Sequence, residues 1–274
     1  MIKLIQNSLY KKDLRRFREL QDEVQTFNLL HNGNNIIQDD IFRVMTNYAN
    51  KNGIRLETMH LPLGDDDVCA FTTIRESIIF VVINSRLPLS KQVFAAAHEL
   101  YHVVCCVKTG AEESIGSMLT AEEMDESAAN TEDREANAFA AMLLVPSAAL
   151  QEQVNILRIK KADPKVDELL KLIDVFGIPY KALVMRLVEE DYISEDTAIR
   201  LGDISATELE KVSLWKNIAA RWLVKKTETF DFAGLEGMIH EYEELELLPE
   251  SRLAEDQSRL KTLQDIMLST QGEE

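Results

Sequence analysis

His98-Glu99-Leu100-Tyr101-His102 places two imidazoles and a carboxylate within five consecutive residues. On a helix, residues four apart share a face, so the two rings stand one turn apart and point the same way. That spacing lets two nitrogens enter one tetrahedral zinc shell, at roughly 2.0–2.1 Å from the ion. Glu99 is turned about 100° from His98 by the helical period, which sets it beside the metal and within reach of a bound water. Metal-assisted hydrolysis is the chemistry these residue types can do at this spacing. The ion acidifies a water and polarises a carbonyl, and the carboxylate moves the proton.

The surroundings strengthen the metal reading. From Val93 to Val107 every residue except His98, Glu99 and His102 is apolar or is Tyr101. A helix apolar on all sides is a buried one. Three ionisable groups in one turn of it cost several kcal/mol unless something satisfies them, and a cation with a water does so. A catalytic zinc site uses three protein ligands and keeps one position open. The other histidines, His31, His60 and His240, are far away in the chain. The candidates for the third ligand are therefore the carboxylates Glu132, Asp133 and Glu135. Spacing alone does not choose among them. Cys106, four residues past His102, shares its helix face but reads as a small buried hydrophobe.

The elements that must hold these residues are legible in outline. GIRLETMHLP, VCAFTTIRES and SIIFVVINS, between about 53 and 84, are short β-branched runs and predict three strands of a small sheet. Strand 78–84 is a candidate edge for binding a peptide by strand addition. Pro88 and Ser90 mark a helix start with Ser90 as N-cap, and the HELYH helix follows. Residues 108–131, rich in small, acidic and turn-forming types, predict a mobile surface loop. A second helix is expected from about Glu132 to Val145, stopped by Pro146. Residues 165–190 predict two helices joined at Gly177-Ile178-Pro179, and the remainder reads as helical. The order defines an α+β fold: a small three-stranded sheet packed on the HExxH helix, followed by an α-helical C-terminal region. Three segments are expected: 1–50 N-terminal and helical, 51–160 carrying the metal helix, and 161–274 α-helical.

Charge and composition bound the function. Of 274 residues, 47 are acidic and 30 basic, a net charge of −17. That balance disfavours a nucleic-acid surface and adhesion to anionic membranes, both of which need clustered Lys and Arg. The two-helix unit at 165–190 could pass for a helix-turn-helix. Its second helix, however, offers only Lys181 and Arg186 against Glu189, Glu190 and Asp191, so direct DNA binding is not expected. Residues 228–274 carry 13 acidic and three basic side chains. No apolar run reaches the roughly 18 residues of a membrane helix, and the N-terminus lacks a secretory apolar core. Three cysteines, two of them adjacent, make no disulfide framework. A cytoplasmic protein is expected.

The run VFAAAHELYH, preceded by IIFVVINS and followed by DREANAFAAMLLVP, resembles the ImmA/IrrE family of zinc-dependent metallopeptidases. The resemblance extends from about residue 54 to 190. It implies a zincin-like fold and a peptide hydrolase with Zn2+, in which His98 and His102 hold the metal and Glu99 is the catalytic base. The family's second motif, E-x-x-A-N-x-F-A-x-x-L-L-x-P, begins with the third ligand. Carried over by position, it puts Asp133 there and makes Asn137 a residue that orients a ligand histidine. Two positions depart from the pattern. Tyr101 stands where the family usually has Gly, and Asp133 is one methylene shorter than the family's Glu. The resemblance also implies a protein substrate, with a helix-turn-helix transcriptional repressor the leading choice. A contrasting expectation, kept open by the two departures, is a non-catalytic metal-binding regulator that sequesters a basic partner on its acidic surface.

Overall fold

The computed structural model describes residues 1–33, 36–110, 116–125, 130–232 and 234–269. The chain opens with helices α1 (Ile2–Asn7), α2 (Leu9–Lys12), α3 (Leu14–Asn32) and α4 (Ile41–Lys51). Strands β1 (Arg55–Leu61), β2 (Val68–Arg75) and β3 (Ile78–Asn84) follow, and then the long helix α5 (Leu89–Thr109). Strand β4 (Gly116–Thr120) and helices α6 (Ala121–Asp125), α7 (Thr131–Leu144) and α8 (Ser147–Ile156) come next. The chain continues through α9 (Val166–Phe176), α10 (Tyr180–Glu189), α11 (Glu195–Gly202), α12 (Ala206–Lys216) and α13 (Ala220–Leu223). It finishes with α14 (Leu235–Glu244) and α15 (Glu250–Ser269). The architecture is α+β, with one small sheet among many helices. No helix among the described residues is long and apolar enough to cross a membrane.

The sheet order is β1-β3-β2-β4, with β1 parallel to β3 and the other pairs antiparallel. The β2–β3 hairpin turns on Glu76 and Ser77, both at positive φ, 49° and 62°. That conformation matches the twist of the strands it joins. Two expectations are corrected here. Among the described residues the sheet has four strands, because Gly116–Thr120 pairs with β2 inside the stretch that reads as a loop, and Ala121–Asp125 then forms α6. Residues 111–115 and 126–129 of that stretch lie outside the described residues. Strand 78–84 is no edge: β3 is hydrogen-bonded on both sides, and among the described residues the edges are β1 and β4. Its near-continuous apolar run, IIFVVI, is the signature of a strand covered on both faces.

Strand alternation sorts β2 between two layers. Ala70 and Thr72 face α5, whereas Phe71 joins Met59, Leu61, Val82 and Phe80 on the opposite face. Phe230 and Phe232 cover that outer face. The segment leading to them runs past the sheet, with Glu228 N–H donating to Ser85 O (2.9 Å) and His60 and Asp231 exchanging backbone bonds of 2.9 and 2.8 Å. The edge of β1 is thereby covered at His60.

Helix α5 lies under the inner face of the sheet and is capped by Pro88 and by left-handed Gly110. Ser90, expected as the N-cap, is instead buried in the first turn. The proline before it already supplies the extended backbone that a cap needs. Helix α7 packs along α5, and its N-cap Asn130 accepts from Asp133 N–H at 2.9 Å. A single cluster of buried apolar side chains runs from Ile5 through Leu20, Val44, Leu100, Leu143 and Leu183 to Trp222.

Arg186 fixes the far end of α7. It is fully buried, and its Nε and Nη2 each donate to Val145 O at 3.3 Å, just past the last turn of α7. Its guanidinium also meets Glu189 and Glu190 at 2.7 Å each. Removing one partner of a buried ion pair leaves an uncompensated charge, at about 3–5 kcal/mol. Arg186→Ala should therefore lower unfolding free energy by about 3–5 kcal/mol in urea titration. A change under about 1 kcal/mol would show that the cluster behaves as a solvated surface pair.

Candidate metal centre

The apolar periphery of α5 drives it into the core, and the three ionisable residues go with it. His98 and His102 are 1% and 5% exposed and Glu99 is fully buried. Their Nε2 atoms face each other at 3.2 Å. Asp133 reaches in from the first turn of α7, with Oδ1 at 3.9 Å from His98 Nε2 and 3.7 Å from His102 Nε2. In a tetrahedral shell with bonds of about 2.0–2.1 Å, ligand atoms stand about 3.3 Å apart. The triangle of 3.2, 3.7 and 3.9 Å fits such an ion after a small inward movement of Asp133. Among the described residues, His98, His102 and Asp133 are the group of His, Cys, Asp or Glu whose ligand atoms converge in this way.

The outer nitrogens of both rings are occupied. His98 Nδ1 lies 2.9 Å from Asn137 Oδ1, and Asn137 Nδ2 donates to Glu123 O at 3.1 Å. With its amide nitrogen so engaged, Asn137 presents its oxygen, and His98 must carry its proton on Nδ1. His102 Nδ1 lies 3.0 Å from Glu132 Oε1, a carboxylate that accepts the Nδ1 proton. Both Nε2 atoms therefore turn lone pairs inward, towards each other and towards Asp133 Oδ1. Three acceptors with no donor between them repel, and a cation at their centre turns the repulsion into attraction. Asp133 is held in that pose by Asn130, whose Nδ2 donates to Oδ2 at 2.6 Å.

The electrostatics agree with this inventory. Burial, and then the neighbouring His102, push His98 down from 6.5 to about 3, against the opposing bond to Asn137. Burial, followed by Glu123, raises the Asp133 carboxyl above its ordinary value. Each shift disfavours the charged form of its group in the absence of a cation.

Of the carboxylates left open by spacing, the structure brings Asp133 to the histidines. Glu135 points away, and Arg16 of α3 grips its Oε2 through Nε (2.9 Å) and Nη2 (2.7 Å). Tyr101 donates to the same oxygen at 2.5 Å, so the tyrosine in place of glycine is matched by Glu135 and Arg16. Its ring stands edge-on to His102 at 5.8 Å and so forms a wall of the site. A cavity of about 410 Å³ opens there, lined by Tyr101, His102, Cys105, Thr131, Glu132 and Glu135. Cys106 stays outside the converging group.

Sequence reasoning missed two partners. Glu132 counts there only as a candidate ligand, whereas it binds the back of His102. Thr72 of β2 donates to Glu99 Oε2 at 2.6 Å, and no motif links residues 27 positions apart.

A buried helix bearing His-Glu-x-x-His, set under a small mixed sheet and joined by a carboxylate from α7, defines a metallopeptidase-like protein. Residues 49–188, just over half of the chain, match the family model of the IrrE N-terminal-like domain (peptidase family M78), and the chain belongs to this metallopeptidase family. No curated protein matches the chain significantly.

The depressed His98 gives an acid-sensitivity with a definite sign. Its unfolded-state value lies near 6.5 and its folded value near 3, so the unfolded chain binds the proton first as pH falls. The contribution is complete above about pH 6.5 and is lost on acidification towards pH 3. Metal-free protein should lose about 2–3 kcal/mol from this group between pH 6.5 and 4.5, and His98→Gln should show a correspondingly flatter profile. Equal slopes for the two proteins in urea titrations across that range would refute the assignment.

Proposed function

We propose that the chain is a zinc-dependent endopeptidase acting on a partner protein in the cytoplasm. The observation that carries this reading is the convergence of two imidazole lone pairs and one carboxylate oxygen beside a buried glutamate. Two His nitrogens and one carboxylate form a zinc donor set that leaves a position open for water. His98, His102 and Asp133 would hold the ion, with Asn137 and Glu132 keeping the two rings in the tautomer that offers Nε2. Zinc supplies a Lewis acid that polarises the scissile carbonyl and lowers the pKa of water from 15.7 towards about 7. Glu99 accepts the water proton and returns it to the leaving amine nitrogen.

An extended peptide pairs naturally with an unpaired strand edge. Of the two edges among the described residues, β1 is covered at His60 by the chain's own Asp231, and β4 is the one that suits this role. Strand β4 neighbours β2, whose Thr72 touches Glu99, so a segment added there would run past the centre. The family resemblance makes a helix-turn-helix repressor the leading substrate. Free cysteines Cys69, Cys105 and Cys106 suit a reducing compartment. One observation favours a second reading, a regulator that sequesters a basic partner. The exposed face of α14 carries Glu241, Glu243 and Glu244, followed directly by exposed Leu245 and Leu247.

Elemental analysis after zinc loading should find about one zinc per chain, as one three-ligand site requires. Under chelator competition, Asp133→Ala should lose zinc at least about tenfold more readily than wild type, Asp133→Glu should retain it, and Glu135→Ala should match wild type. Zinc stripped by Glu135→Ala but kept by Asp133→Ala would overturn the ligand set. Glu99→Gln should keep its zinc and lose cleavage. Affinity capture with that variant, compared with wild type, should recover an intact protein that wild type returns as fragments. Recovery of the same intact, basic protein by both would favour the sequestering regulator.

A further inference from the structure

We propose that Thr72 is a positioning residue for the proton-transfer step, selecting which oxygen of Glu99 takes the proton. The inference rests on the peptidase reading and deepens it. Thr72 Oγ1 donates to Glu99 Oε2 at 2.6 Å, and both residues are buried, Thr72 with 1% exposure. Its place is rigid for two reasons. Strand β2 is internal, with Thr72 in register with Val81 of β3 on one side and Ser117 of β4 on the other. A β-branched side chain on such a strand also has few χ1 rotamers open to it. The hydroxyl is thus presented by the sheet, while the carboxylate it holds belongs to the metal helix.

The chemistry follows from the donor count. Thr72 has one O–H to give, and it goes to Oε2. Oε1 then becomes the oxygen that receives the water proton, forming an O–H bond as the water O–H breaks. The Thr72 bond need not break during that transfer. With the proton on Oε1, Oε2 is the carbonyl oxygen of a carboxylic acid and still accepts from the hydroxyl. The proton then leaves Oε1 for the amine nitrogen, and the carboxylate is restored in the same orientation. One hydrogen bond can therefore hold Glu99 still through both halves of the shuttle, which a partner donating to the protonated oxygen could not do. The strand that carries Thr72 also pairs with β4, so the same backbone register sets the base and the edge proposed for substrate.

The test compares zinc-loaded full-length wild type, Thr72→Val and Thr72→Ser by crystallography, chelator competition and cleavage of fluorescein-labelled casein. Thr72→Val keeps the shape and removes the donor, and Thr72→Ser restores it. The expected result is unchanged zinc retention in all three and a Glu99 carboxylate rotated off β2 in Thr72→Val only. In cleavage, kcat should fall by about tenfold or more for Thr72→Val with KM unchanged, and recover in Thr72→Ser. A Glu99 that keeps its pose in Thr72→Val, or a Thr72→Ser that fails to restore it, overturns the proposal. Equal loss of zinc in both variants does so too, since it marks a purely structural role. If Thr72→Val does not fold, Thr72→Cys, with its weak donor, is read by the same criteria. If wild type leaves casein uncut, the crystal structures decide the role of Thr72 by themselves, and the missing cleavage counts against the peptidase reading instead.

Discussion

Three electron-rich atoms with no donor among them, buried in an apolar helix environment, are the constraint around which this protein is arranged. His98 Nε2, His102 Nε2 and Asp133 Oδ1 lie within 3.9 Å of one another. Nothing in the hydrophobic burial of α5 favours such a cluster, because burial penalises the charged forms of His98 and Asp133. What holds it in place is a ring of hydrogen bonds on the outward side: Asn137 and Glu132 behind the imidazoles, Asn130 behind Asp133, and Thr72 behind Glu99. Three of these partners belong to α7 or its cap and the fourth to β2, so the pose depends on how α5, α7 and β2 are docked. The result of that docking is a preorganised set of acceptors that could hold a cation, with both ring tautomers already set by their outer hydrogen bonds.

The docking in turn depends on residues far from the chemistry. Arg186 closes the C-terminal end of α7 through Val145 O, and Asn130 closes its N-terminal end. Along its length, Arg16 reaches from α3 to Glu135, and Tyr101 meets the same carboxylate from α5. Helix α3 therefore braces the wall of the site through Glu135. Tyr101 and Glu135 explain each other: a phenol on this helix face needs an acceptor when buried, and Glu135 needs partners once turned from the histidines. Asp133 sits in the first helical turn, where its capping Asn130 holds its carboxylate from behind.

The sheet separates two tasks. Its inner face supplies Thr72 and packs on the metal helix, while its outer face is closed by Phe230 and Phe232 from the C-terminal segment. That segment also covers β1 at His60, so the chain protects one edge itself. An open edge is a site of pairing with other chains unless it is kept short. Strand β4, five residues long, is short and sits on the side of the sheet nearest Glu99.

The HELYH segment, the helical period that aligns its histidines, the apolar flanks that bury it and the three β-branched runs were all legible in the sequence. Each is a local pattern, written within one element and read by the 3.6- or 2-residue repeat. The field of third ligands was legible too, but periodicity could not choose within Glu132, Asp133 and Glu135. The choice required knowing which face of α7 meets α5. Strand β4 hid in a polar stretch because five residues carry little periodicity, and β2, some 48 positions earlier, is what makes them a strand. The interior place of β3, the hand of Thr72 on Glu99 and the grip of Arg16 on Glu135, 119 positions away, belong to the same class. Local periodicity fixes which way a side chain leaves its own helix or strand. Which group it meets there is decided by long-range packing, and only the tertiary structure contains that.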